Sequence, residues 1–150
     1  MRNNAAVIDT PSRHQVGGRD LDSDMIPDPA DTTPTVSILT RPAEAIVFNS
    51  ARYTGSSQDV AYDSPTRSDV TINFISAVQY RIDAGSWVPA LPADGTWDET
   101  AEDYLFATAP LALGPHTVDI RSVNRAGNSS ALQTDTFVVI PAGFLPLVIR

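Results

Sequence analysis

Between Val78 and Asp83 apolar and polar residues trade places one by one: Val78, Tyr80 and Ile82 alternate with Gln79, Arg81 and Asp83. Period two is the signature of a half-buried β-strand. The texture recurs along the chain. VSIL (36–39) is a short β-type run between Pro34 and Pro42, and AIVFNSARYTG (45–55) predicts a second strand region ending at Gly55. SSQDVAYDSPTRSD (56–69) is polar and turn-forming, and predicts a loop. VTINFI (70–75) is β-branched and aromatic, and leads into AVQYRIDAGSW (77–87), where Asp83 to Ser86 carry the residue types of a tight hairpin turn. Trp87 and Val88 begin the return strand. Asp94-Gly95 marks a turn, Tyr104 to Phe106 a strand, and Gly114-Pro115 a break before HTVDIRSV (116–123), where Val118 and Ile120 oppose Asp119 and Arg121. NRAGNSS (124–130) predicts a turn, and TDTFVVI (134–140) a closing strand. Nowhere do apolar residues repeat at three and four over a helical length. The pattern predicts an all-β chain, an antiparallel sandwich of about seven strands.

The flanks differ. Residues 1–32 are rich in Asp, Arg, Pro and Gly without an apolar period, and predict an acidic linker in a disordered or extended state. The sandwich is expected at 33–140, and residues 141–150 form a short apolar tail. Pro141 and Pro146 interrupt that tail, so it does not span a bilayer as a helix. MRNNAAVIDTPSRHQVGG lacks the apolar segment of a signal peptide. If the protein is exported, this chain is then a fragment, or its start was assigned internally.

Composition narrows the chemistry. The chain has 150 residues, enough for one domain and a tail. A net charge of −8 disfavours nucleic acid and anionic membranes as partners. All ten basic residues are Arg, which removes lysine Schiff bases and lysine general bases. The absence of Cys excludes thiolate catalysis, disulfides and zinc–thiolate sites, and assigns no compartment.

DTTPTVSI, VQYRIDAGSW, DGTWDETAEDYLF, LALGPHTVDIRSV and NRAGNSS fall in the order seen in bacterial immunoglobulin-like domains, which are close to fibronectin type III modules. The resemblance covers about residues 31–140. It rests on a Y-x-I/V-D-G-G-x-W hairpin, a G-x-H-T-V/I strand start and a D/N-x-A-G-N-x-S hairpin. Ala84 stands where the family usually has Gly, and Asn124 where Asp is common. The resemblance implies an immunoglobulin-like fold and an accessory or spacer module of an extracellular bacterial protein, with no catalysis. FLPLVIR (144–150) resembles C-terminal tails of some bacterial surface and secreted proteins; it reads equally as a sorting or anchoring signal and as an end that docks on the sandwich.

Candidate chemistry is sparse. DLDSDMIPDPAD (20–31) places Asp20, Asp22, Asp24, Asp28 and Asp31 at spacings that calcium loops use, and it resembles the D-G-D-G-I-P-D-x-x-D of thrombospondin type 3 repeats. Met25 stands where the bend of such a loop takes Gly, a misfit of about 1 kcal/mol or more. The window reads either as a calcium loop or as an acidic tether. His14 and His116 are the only histidines; a Ser-His-Asp triad can be written from residue types, but no nucleophile-elbow motif supports one. Asp94, Asp98, Glu99, Glu102 and Asp103 cluster within ten residues, as a solvated rim, a loose calcium site or a carboxylate pair for glycoside chemistry. Trp87, Trp97, Tyr80 and Tyr104 offer either an aromatic platform for sugar or peptide or a filled core. Asn128-Ser129-Ser130 is formally a glycosylation sequon.

Together with the sandwich pattern, the resemblance implies a non-catalytic immunoglobulin-like spacer or interaction module of a secreted or cell-surface bacterial protein, covalently part of a larger one. Two alternatives stand beside it: a carbohydrate- or protein-binding module using exposed aromatics, and a C-terminal piece of a larger secreted hydrolase. Apart from calcium at the Asp-rich window, no cofactor is expected.

Overall fold

The computed structural model describes residues 20, 27–47, 50–64 and 68–141. Among the described residues nine strands form two packed sheets: β1 (Pro34–Thr40), β2 (Ala45–Ile46), β3 (Arg52–Asp59), β4 (Ile75–Ile82), β5 (Val88–Pro89), β6 (Leu91–Pro92), β7 (Ala101–Ala107), β8 (Gly114–Asn124) and β9 (Gln133–Val139). One sheet has the order β1-β3-β7-β6 and the other β2-β9-β8-β4-β5. This is the two-sheet arrangement of an immunoglobulin-like sandwich, with an extra edge strand on each side of the β9-β8-β4 core. A 3-10 turn (Asp28–Ala30) precedes β1.

Nine strands stand where about seven are expected, because two runs change sheets. The chain leaves β1 and, past the Pro42 break, joins the opposite sheet as β2, whose pairing with β9 is parallel. After β5 it crosses at the buried Ala90, whose N–H donates to the Val78 carbonyl, and enters the first sheet as β6. Two further expectations need correcting. Ser56 to Asp59 are strand, pairing with Ser37 to Pro34 and with Asp103 to Ala101, not loop. Their inward residues Ser57 and Asp59 are polar, so the alternation is invisible to a hydrophobic pattern. Conversely, residues 71–74 are not strand; Val70 makes only an isolated bridge to Tyr62, and β4 begins at Ile75. β-branched side chains favour a pleated surface only when a neighbouring strand supplies one.

The core is aromatic and aliphatic. Tyr80 of β4 stacks on Phe106 of β7 at 3.9 Å between ring centroids, and Phe106 stacks on Tyr53 of β3 at 5.0 Å. Val78, Val118, Ile120, Phe137 and Val139 close the inner face of the second sheet. With no cysteine in the chain, packing and hydrogen bonds join the sheets.

Gly55 lets one aromatic in. It sits opposite Tyr104, whose hydroxyl donates to the Ser37 carbonyl at 3.0 Å. A Cβ at position 55 would overlap both that carbonyl oxygen and the Tyr104 hydroxyl. The phenol passes where a side chain would stand, and burial pushes its pKa up. Gly55→Ala is therefore expected to destabilise the fold by about 3 kcal/mol or more, since the overlap involves backbone on one side. Tyr104→Phe removes one hydrogen bond, at a cost of about 1 kcal/mol. Urea unfolding of the two variants checks the ranking, and an unperturbed Gly55→Ala midpoint would contradict this packing.

Candidate functional site

The ends of the sandwich carry its polar chemistry. β4 and β8 pair from Ile75↔Asn124 at one end to Ile82↔Val118 at the other. The segment before β1 reaches the first end, the lead-in end. β9 leaves at the second, the exit end, where Val139 pairs with Gly114.

At the lead-in end the DTTP and NRAGNSS motifs bond to one another. The Asn124 side chain donates to Asp59 Oδ1 at 3.0 Å and to the Thr32 carbonyl at 2.6 Å. The Thr32 hydroxyl donates to Asp59 Oδ2. Asn73 donates to the Ala30 carbonyl and to Thr32 Oγ1, at 2.7 and 2.9 Å. Asn128 donates to Asp31 Oδ1 at 2.5 Å, while its own N–H donates to Asn124 Oδ1 at 3.0 Å. Asp59 and Asn124 are 0% and 1% exposed. A buried carboxylate is tolerated only where its oxygens are bonded, and here both are. Asn124 also ties the hairpin itself, since Gly127, at φ +95, donates its N–H to the Asn124 carbonyl. Beside this network, the hydroxyls of Ser57 and Ser122 bond across the two sheets.

At the exit end Asp83 and His116 do the same work for the other two motifs. Asp83 Oδ1 accepts the Thr117 N–H at 2.8 Å, and Oδ2 lies 2.7 Å from His116 Nδ1. His116 Nε2 lies 2.9 Å from the Ala112 carbonyl oxygen. That backbone acceptor, then Asp83, raises the imidazole pKa above 6.5. The Thr117 N–H, then His116, lowers that of Asp83. Asp83 and Ala84 both have positive φ, 50° and 58°, as a type I′ turn requires, and the Gly85 N–H closes the turn onto the Ile82 carbonyl. Ala84, next to the tied Asp83, thus takes a conformation that glycine adopts freely.

The remaining sequence candidates separate. Asp22 and Asp24 lie outside the described residues, as do Met25, His14 and FLPLVIR. Asp28 opens the 3-10 turn, and Asp31 holds Asn128. Among the described residues no three carboxylates or histidines are grouped closely enough to hold a metal. In the acidic run, Glu102 is buried and its Oε1 accepts the N–H groups of Asp98 and Glu99, at 2.7 and 2.8 Å. Asp94 and Asp98 bond to Thr96. These carboxylates shape a loop beside an open cleft of about 560 Å³ that Asp94, Glu99 and Asp103 also line.

The four aromatics form no exposed platform. Tyr80 and Tyr104 are core, and Trp97 packs against the core. Trp87 lies on the outer face between Arg81 and Arg121, whose guanidinium carbons stand 4.7 and 4.2 Å from its ring centroid. Arg81 is paired with Asp119, and Arg121 donates to Gln79. The Asn128 amide is committed to Asp31 and Thr32, which explains that residue without glycosylation. Sequence reasoning missed Thr32, Ser57, Asp59 and Asn73. Their one signal is that the Asp-Thr-Thr-Pro and Asn-x-Ala-Gly-Asn motifs occur together.

No family model and no curated protein matches the chain. Among solved structures it is similar to the sulfane dehydrogenase SoxCD from Paracoccus pantotrophus, with TM-score 0.50 and 12% identity over 74% of this chain and 33% of that one. The fibronectin(III)-like modules of Clostridium thermocellum CbhA align at TM-score 0.45 and 17% identity, over 79% of this chain and 53% of theirs. Astrotactin-2, a vertebrate-specific perforin-like membrane protein, aligns at 0.49 and 15%, over 82% and 25%. The chain thus spans a quarter to about half of these three chains. The first likeness shows the sandwich fold at a level of identity that carries no activity across.

The lead-in network gives a direct stability test. Asn124→Ala leaves the Thr32 carbonyl, an Asp59 oxygen and the Asn128 N–H without that partner, and is expected to cost about 2–4 kcal/mol. Combined with Asp59→Ala, the loss should fall well short of the sum, because both changes empty one network. Denaturant midpoints of the two single variants and the double variant measure this. Strict additivity would mean that the two side chains act independently.

Proposed function

We propose that this chain is a non-catalytic spacer or interaction module of a secreted or cell-surface bacterial protein. In this reading the acidic linker, residues 1–32, leads into the module. The observation that carries the reading is the position of the two ends of the sandwich. The chain enters at Asp31 beside Asn124 and leaves after Val139 beside Gly114, at opposite ends of β8. The eleven residues of β8, at about 3.3 Å per step, separate those ends by roughly 33 Å. A module threaded this way adds its full length to the chain that contains it.

The strands at the two junctions suit a load along that axis. β1 is bonded along β3, and β9 lies between β8 and β2. β2 bonds to β9 through the Val138 N–H to the Glu44 carbonyl and the Ile140 N–H to the Ile46 carbonyl, at 2.8 and 2.9 Å. Tension between residues 31 and 141 runs parallel to the strands, so the ladder bonds are sheared together rather than opened in turn.

The reading is tested by pulling single molecules of the full chain in two geometries. Handles at positions 31 and 141 shear the ladders. Handles at 113 and 141, adjacent at the exit end, unzip β9 from β8. The first is expected to give one cooperative step at clearly higher force. Equal forces in the two geometries would sink the load-bearing spacer reading. Turnover of peptide or glycoside substrates that follows the folded protein through repeated purification would sink the non-catalytic one.

A further inference from the structure

One titratable side chain holds three segments of the exit end at once. His116 is the third residue of β8, and its side chain is 10% exposed. Asp83, from the β4–β5 turn, faces Nδ1; the carbonyl of Ala112, from the loop after β7, faces Nε2. Both partners are acceptors, so both contacts are hydrogen bonds only when both ring nitrogens carry protons. The charged group acting on the ring is Asp83; β9 contributes the neutral ring of Phe137, at 5.8 Å between centroids. On β4 and β8, Arg81 is paired with Asp119, which also accepts from the Thr134 hydroxyl.

We propose that His116 is a pH-responsive clasp: protonated, it pins the 108–113 loop and the β4–β5 turn to the start of β8, and on losing its proton it releases the loop.

The direction of release follows from the chemistry. A neutral imidazole has one N–H to give, and a carboxylate is a stronger acceptor than a peptide carbonyl. The proton stays on Nδ1, facing Asp83, and the bare Nε2 lone pair is left against the Ala112 oxygen. Two lone pairs at hydrogen-bond distance repel, and the loop is the part that moves. Leu111 packs on the core and Leu113 is 65% exposed. Leu113 precedes Gly114, which pairs with Val139 where the chain leaves the sandwich. Acid therefore firms the exit junction and alkali loosens it. The raised His116 pKa has the matching sign: its contribution is complete below pH 6.5 and is lost as pH rises through the folded value. The lowered Asp83 pKa keeps its carboxylate available down to below pH 3.8, so the clasp is closed between those limits.

The test is nitrogen NMR of the full chain from about pH 5 to 9. His14→Gln leaves a single imidazole to observe. His116 is expected to titrate above 6.5 and to be protonated on Nδ1 when neutral. With the same midpoint, the Ala112 and Leu113 order parameters should fall from about 0.85 toward about 0.6. Asp83→Asn, which keeps an acceptor for the Thr117 N–H, should lower the midpoint. Loop order parameters that ignore a titrating His116 would overturn the proposal. So would a neutral ring protonated on Nε2, which would keep the loop and free the turn instead.

Discussion

A carboxylate without solvent contact is the constraint around which the lead-in end is built. Asp59 points into the sandwich from the last position of β3, and its side chain is fully buried. Stripped of partners, it would make β3 untenable as an inner strand. Thr32 and Asn124 fill that need from opposite directions, one from the segment before β1 and one from the end of β8. The carboxylate therefore fixes where the lead-in must cross, and so sets the register in which Pro34 opens β1 against it. Asn73, Asn128 and Asp31 then complete the bonding of the groups that hold it.

This division of labour explains what the sequence disclosed and what it hid. β4, β7, β8 and β9 alternate as written, because their inward residues are Val78, Tyr80, Tyr104, Phe106, Val118, Ile120 and Phe137. The second half of β3 does not, because Gly55, Ser57 and Asp59 face inward. Each is explained only by a residue remote in sequence: Tyr104, Ser122 and Asn124. Periodicity reads the side chain and not its partner, so a strand whose inner face is satisfied by hydrogen bonds looks like a loop. The change of sheet at Ala90 is hidden for a related reason. Ala90 is small and buried, and only its bond to Val78 shows that the chain turns between the layers.

The site was legible in a different way. The turn motifs stand out as residue types, yet nothing in their spacing says that they act in pairs. Asp83 of the hairpin meets His116 of the strand start, and Asn128 of the last hairpin meets Asp31 of the lead-in. Glu102 and Tyr80 show the limit of reading chemistry from composition. A carboxylate in an acidic run serves two backbone N–H groups, and a tyrosine that could stack on a ligand stacks on Phe106.

The pairing of motifs also separates what holds the fold from what is free to vary. Each polar motif is spent on the opposite side of its own end, which leaves those residues little capacity for a ligand. The outer sheet faces are less committed. On one, Trp87 between Arg81 and Arg121 covers β4 and β8; on the other, Leu91 and Leu105 stand opposite each other, exposed, on β6 and β7. The ends, by contrast, are built to hold the chain where it enters and leaves. Of the two, the lead-in end is held by a buried network of carboxylate and amide side chains, while the exit end turns on His116. The two junctions of one module are therefore held by different chemistry: the first by amide and carboxylate bonds buried inside the sandwich, the second by an imidazole whose protons decide how many partners it can hold.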